Sequence, residues 1–135
     1  MFYLIRKHIR APYFNPRLRW WENSPRFRVD DMQAKIKNLD EDNAQFETGE
    51  IYDLSINGVF IATKNPISLG KRVNVVFTLL GEITIDSIGK VVWLCPENIK
   101  TKHPQGFGLL FTDILKNDQR QIKSYLKSLS KELER

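Results

Sequence analysis

Apolar and polar positions alternate along most of this chain. From Phe27 to Leu39, Met32, Ala34 and Ile36 are interleaved with Asp31, Gln33, Lys35 and Lys37, the period-two signature of a half-buried strand. The acidic run "DEDNA" then reads as a loop. "FETGEIYDLS" and "NGVFIATK" read as two strands joined by a tight turn, and "NPISLG" is a connector rich in turn residues. "KRVNVVFTLL" and "ITIDSIGKVVWLC" form a hairpin about Gly81 and Glu82, with Gly89 marking a bulge in the longer arm. After the polar loop "PENIKTKHPQ", the stretch "GFGLLFTDI" is one more strand. Six strands with short turns and no crossover helices predict a mainly β fold, a small antiparallel barrel or sandwich.

The period changes at the C-terminus. Ile122, Tyr125, Leu126, Leu129 and Leu133 share one helical face, Asn117 is a candidate N-cap, and Asp118 suits the positive end of the helix dipole. This predicts a helix over about residues 118–133 whose apolar face rests on the barrel wall or, as the alternative, meets a partner. Before Pro25 no period emerges: Pro12, Pro16 and Pro25 punctuate the segment, and Tyr13, Phe14, Trp20 and Trp21 interleave with arginines. We read residues 1–25 as an irregular basic and aromatic arm with room for a short helix at its start, 26–115 as the barrel and 116–135 as the C-terminal helix.

A chain of 135 residues suffices for one domain, which buries roughly two-thirds of the surface its unfolded form exposes. The single Cys95 excludes an internal disulfide framework, and following "VVWL" it reads as a buried small hydrophobe. No apolar run is long enough to span a bilayer, and "MFYLI" is too short for the apolar region of a signal peptide, so a cytoplasmic location without membrane insertion is expected. The net charge of +5 has a definite location. Arg6, Lys7, Arg10, Arg17, Arg19, Arg26 and Arg28 face only Glu22 and Asp30 within residues 1–30, and the remaining bases and acids balance. Six of these seven bases are arginine, whose planar fork grips phosphate and carboxylate bidentately. His8 and His103 are isolated, with no metal-ligand spacing, nucleophile motif or phosphate loop, and His103 reads as an exposed loop residue. Neither an enzyme nor a metal or cofactor site is expected.

The turn "DLSING" carries the most specific signal. On its own, Asp53-x-Ser55-x-x-Gly58 describes a tight turn in which both polar side chains bond nearby backbone amides and the glycine takes positive φ or lets another group approach closely. With "PRFRVDD" upstream, however, the chain resembles the PilZ domain family, small antiparallel β-barrels that bind the bacterial second messenger cyclic di-GMP. That family has an arginine motif of RxxxR form, ending in Pro-Arg just before the first strand, and a (D/N)xSxxG motif between the second and third. Here Pro25 and Arg26 match the end of the first motif, Asp53, Ser55 and Gly58 match the second, and "GKVVWL" and "GFGLLF" resemble the closing strands. The resemblance covers about Pro25 to Ile114 and implies a six-stranded PilZ-like barrel.

The ligand's chemistry accounts for these residue types. Two phosphates and two guanines call for cationic forks, for carboxylates facing guanine N–H donors, and for bare backbone where a ring lies close. The resemblance therefore assigns Arg26 to phosphate and guanine contacts, Asp53 to a guanine edge, Ser55 to a phosphate or base, and Gly58 to the space the ligand needs. Four residues before Arg26, where the motif has its first arginine, stands Glu22, and Arg17 or Arg19 would have to supply the missing guanidinium. Arg28 shares a strand face with Arg26 and extends the basic surface. Trp20 and Trp21 could stack on a guanine or anchor the arm. The expected function is a cyclic di-GMP receptor that signals through its arm to a protein partner. The alternative is a degenerate adaptor that acts by protein contacts alone. Binding to DNA or RNA is not expected, because the chain beyond the arm carries no net charge.

Overall fold

The computed structural model describes residues 4–5, 8–9, 26–97 and 103–133. Its strands are β1 (Leu4–Ile5), β2 (His8–Ile9), β3 (Phe27–Arg28), β4 (Gln33–Asn38), β5 (Glu47–Leu54), β6 (Gly58–Ala62), β7 (Arg72–Leu79), β8 (Ile83–Cys95) and β9 (Gly106–Ile114), followed by helix α1 (Lys116–Leu133). The last six strands of this order, β4 to β9, form a closed antiparallel barrel. Its ring runs β5–β4–β7–β8–β9–β6 and closes through a second pairing of β5 with β6. Closure works because β5 is shared end to end, pairing with β4 over Glu47–Glu50 and with β6 over Glu50–Leu54.

The long strand expected over 27–39 is broken in two. Val29 and Met32 are both buried, and a flat strand cannot turn inward at a spacing of three. The chain therefore ejects Asp30 and Asp31, the latter at φ 55°, while Val29 N–H donates to the Tyr52 carbonyl and Met32 O accepts from Ile51 N–H. β3 and β4 thus follow the same edge of β5 on either side of a bulge. The start of the chain is extended instead of helical at its described positions: β1 runs parallel to β3 and antiparallel to β2.

Inward positions alternate as the pattern predicts, with Ile36, Ile51, Val59, Ile61, Val73, Val75, Phe77, Ile85, Val91 and Leu109 all essentially inaccessible. Ile122, Tyr125, Leu126 and Leu129 of α1 join this same core; the side chain of Leu133 lies outside the described residues. Burying the three aliphatic residues contributes roughly 5–9 kcal/mol at about 1.5–3 kcal/mol each, enough to hold the helix on the barrel. The helix starts earlier than its expected cap. The first intrahelical bond runs from Gln119 N–H to the Leu115 carbonyl, so Leu115 holds the N-cap position and Asn117 lies inside the first turn. The register against β9 does shift at Gly89, but the extra residue there is Thr112 of β9; the longer arm itself bulges three residues further on, at Val92. Among the described residues no helix is long and apolar enough to cross a membrane, and no cluster of three or more His, Cys, Asp or Glu could hold a metal ion.

Candidate functional site

The two motif segments meet on the outer face of the barrel, at the end where β3 joins β5. Pairing sets Arg28 opposite Asp53, Asp53 opposite Phe60, Phe60 opposite Gly108 and Gly108 opposite Trp93. These five residues form one row across five neighbouring strands. The row exists because β5 bulges at Tyr52. Ile51 and Leu54 both point into the core, so the two residues between them, Tyr52 and Asp53, turn away from it together. Gly108 sits between two rings, and a Cβ there would come within 3.2 Å of the Trp93 indole.

Although it faces away from the core, Asp53 is completely buried. Its Oδ1 accepts from Arg26 Nη1 at 3.0 Å, and Oδ2 has no hydrogen-bond donor among the described residues. Burial pushes the carboxyl above the usual carboxylate range, opposed first by the Arg26 charge and hydrogen bond and then by His103 and Arg28. A buried carboxylate oxygen without a donor is costly, and Oδ2 retains its capacity to accept an N–H or O–H group.

Arg28 has its donors directed elsewhere. Nη1 donates to the carbonyls of Tyr52, at 3.0 Å, and Val29, the guanidinium lies 4.0 Å from the centre of the Tyr52 ring, and Asp30 is 3.9 Å away. It therefore braces the bulge from outside. Ser55 is likewise engaged. Its buried Oγ accepts from the amides of Asn57 at 3.3 Å and Gly58 at 3.0 Å, which is the local turn bonding expected of such a string. Asp53 does not share that pattern. Gly58 does not have positive φ; it is glycine because a Cβ there would lie 2.2 Å from the Leu109 carbonyl oxygen of β9. Arg17, Arg19, Trp20, Trp21 and Glu22 lie outside the described residues.

Sequence reasoning missed His103. Far from being an exposed loop residue, it is partly buried, its ring 4.7 Å from Phe60, 5.0 Å from Tyr52 and 5.4 Å from Trp93. The signal available was the aromatic composition of "YD", "VF" and "VW", whose shared row emerges only from the register. His103 Nδ1 stands 2.9 Å from the Pro104 carbonyl, which can only accept, so Nδ1 carries the proton. Cys95 Sγ, 3.3 Å from that same nitrogen, therefore has no base there, and burial pushes its thiol up. Cys95 is partly exposed, not the core residue expected, because β8 runs on past its pairing with β7, which ends at Lys90, and at Cys95 is paired only with β9. An open groove of about 720 Å³ lies beyond His103 and is lined by Lys64, Glu97 and Gln105, but neither Arg26 nor Asp53 borders it.

A closed six-stranded antiparallel barrel with a DxSxxG turn beside a Pro-Arg defines a PilZ-type domain, and the PilZ domain profile matches residues 22–128, so the chain belongs to that family. Among solved structures, a complex of K. pneumonia MrkH with c-di-GMP is 27% identical, with a TM-score of 0.61 over 82% of this chain and 53% of that one. MrkH in its apo state is 24% identical, with a TM-score of 0.59 over 93% of this chain and 55% of that one, a likeness of fold. The chain spans about half the length of these MrkH chains. No curated protein matches it.

Proposed function

We propose that this domain is a cyclic di-GMP receptor, not a catalyst, working in the cytoplasm and passing ligand occupancy to a protein partner through its basic arm. The observation that carries the reading is Asp53: fully buried, one oxygen on Arg26 and the other without a donor among the described residues. Guanine presents N1–H and N2–H₂ side by side, a donor pair suited to a carboxylate, and Arg26 lies next to it with about a fifth of its side chain exposed, able to reach O6, N7 or a phosphate. In this reading Ser55 and Gly58 hold the turn that aims Asp53, Arg28 supports the bulge, and Arg17 or Arg19 brings the guanidinium that Glu22 cannot.

Calorimetric titration with cyclic di-GMP tests this. Saturable binding is expected, weakened about ten- to a hundredfold by Asp53→Asn and by Arg26→Ala, the equivalent of roughly 1.5–3 kcal/mol per charge-assisted contact. A wild-type protein that shows no binding at high ligand concentration would overturn the reading in favour of an adaptor acting by protein contacts alone, the direction in which Glu22 points.

A further inference from the structure

The outward face of α1 is a stripe of cations. Lys116, Arg120, Lys123, Lys127 and Lys131 are all exposed. At about 100° per residue they fall within a sector of about 80°, nearly opposite the face that carries Ile122, Tyr125, Leu126 and Leu129 into the core. The stripe runs about 22 Å along the helix. Asp118 is the only acid between Lys116 and Lys131, it lies off the stripe, and none of the five cations forms an ion pair among the described residues. The zero net charge beyond the arm, which argued against nucleic acid, conceals this segregation.

We propose that this face binds the phosphate backbone of duplex nucleic acid without reading its sequence. Several observations favour that partner. The exposed positions flanking the stripe are Asn117, Ser124 and Ser128, and lysine, arginine, serine and asparagine are the side chains from which phosphate contacts are made. No apolar side chain stands along the stripe to anchor a protein interface, whose core is apolar and poor in charge. An amphipathic helix binds a lipid surface by its apolar face, and here the barrel already covers that face. Over about 22 Å, one strand of a duplex presents about six phosphates, a linear array comparable in length and charge to the five cations.

The test is fluorescence anisotropy of two labelled 20-base-pair duplexes of unrelated sequence, titrated with the full chain at several salt concentrations. Both duplexes are expected to bind alike, with log K falling against log salt at a slope of about −4 to −5. Lys123→Glu with Lys127→Glu should weaken binding at least ~10-fold and reduce the slope by about 2. Lys64→Glu with Lys90→Glu, an equal change of net charge on the barrel, should leave it within about twofold. Circular dichroism of each variant checks that the helix persists. The proposal is overturned if neither duplex binds at low salt, or if binding survives the helix reversal and is lost with Arg17→Ala and Arg19→Ala. It is equally overturned if anionic phosphatidylglycerol vesicles bind through Lys123 and Lys127 while the duplexes do not.

Discussion

Arg26 Nη1 stands 3.0 Å from Asp53 Oδ1, joining a cation about one-fifth exposed to an anion that water does not reach. Such a pair is asymmetric. Freed from Asp53, Arg26 can turn to solvent, whereas Asp53 without Arg26 is a buried charge with no compensation. Arg26→Ala should therefore cost about 3 kcal/mol, read as a lower urea midpoint at unchanged slope. Adding Asp53→Asn should recover most of that loss, because the charge that needed a partner is gone. Additive losses in the double variant would mean that the pair contributes no coupling to the fold.

Asp53→Asn alone tests whether the site is held at the expense of stability. Burial raises the Asp53 carboxyl despite Arg26, so ionisation at neutral pH opposes folding. Asparagine removes that opposition. The variant should melt a few degrees above wild type at pH 7, and the difference should shrink as pH falls toward about 3.9, the unfolded carboxyl value, where wild type is neutral as well. Ligand affinity should move the other way, the pattern of a binding site that trades stability for function. A variant that melts below wild type at pH 7 would show that attraction to Arg26 outweighs burial.

Gly58→Ala places its methyl 2.2 Å from the Leu109 carbonyl, a backbone atom of a paired strand that cannot swing aside. The expected cost is about 2–3 kcal/mol, measured by denaturant, and any loss of ligand binding should follow the loss of fold. Ser55→Ala removes the acceptor for two amides of the same turn and should cost about 1–3 kcal/mol. If both variants keep wild-type stability yet lose binding, these residues touch the ligand themselves.

The contrast between Ser55 and Asp53 shows what the sequence could convey. The alternation in "RVNVVFTL" and the shift to helical period after Leu115 are local signals, and strands and helix lie close to where they predict. Of the motif residues Asp53 meets Arg26 while Ser55 bonds its own turn, a division made by hydrogen bonds that a string of letters does not encode. Asn117 looked like the better cap by type, yet the register of Ile122, Tyr125 and Leu126 against the core starts the helix at Lys116 and leaves Leu115 at the cap. The break between β3 and β4 follows from Val29 and Met32 turning inward together, which depends on β5. His103 was least legible of all, because its neighbours Tyr52, Phe60 and Trp93 come from three strands and converge only through a bulge and the gap above Gly108.

His103 should make the fold sensitive to mild acid. Burial lowers its ring below the ordinary histidine value, opposed by the Pro104 carbonyl and by Asp53, while the Arg26 charge adds to the lowering. Stability from the neutral ring is thus present above about pH 6.5, the unfolded value, and is lost as pH falls through the lower folded value. Asp53, whose carboxyl burial raises, titrates with the opposite sign, so the measurement belongs in the Asp53→Asn background, where one of the two groups is silent. In that background, melting temperature should fall between pH 7 and pH 5. His103→Phe keeps an aromatic ring against Tyr52, Phe60 and Trp93 but cannot take a proton, and its melting temperature should stay nearly level over the same interval. Parallel curves for the two proteins would place the acid sensitivity on another group and leave His103 as a packing residue of the aromatic row.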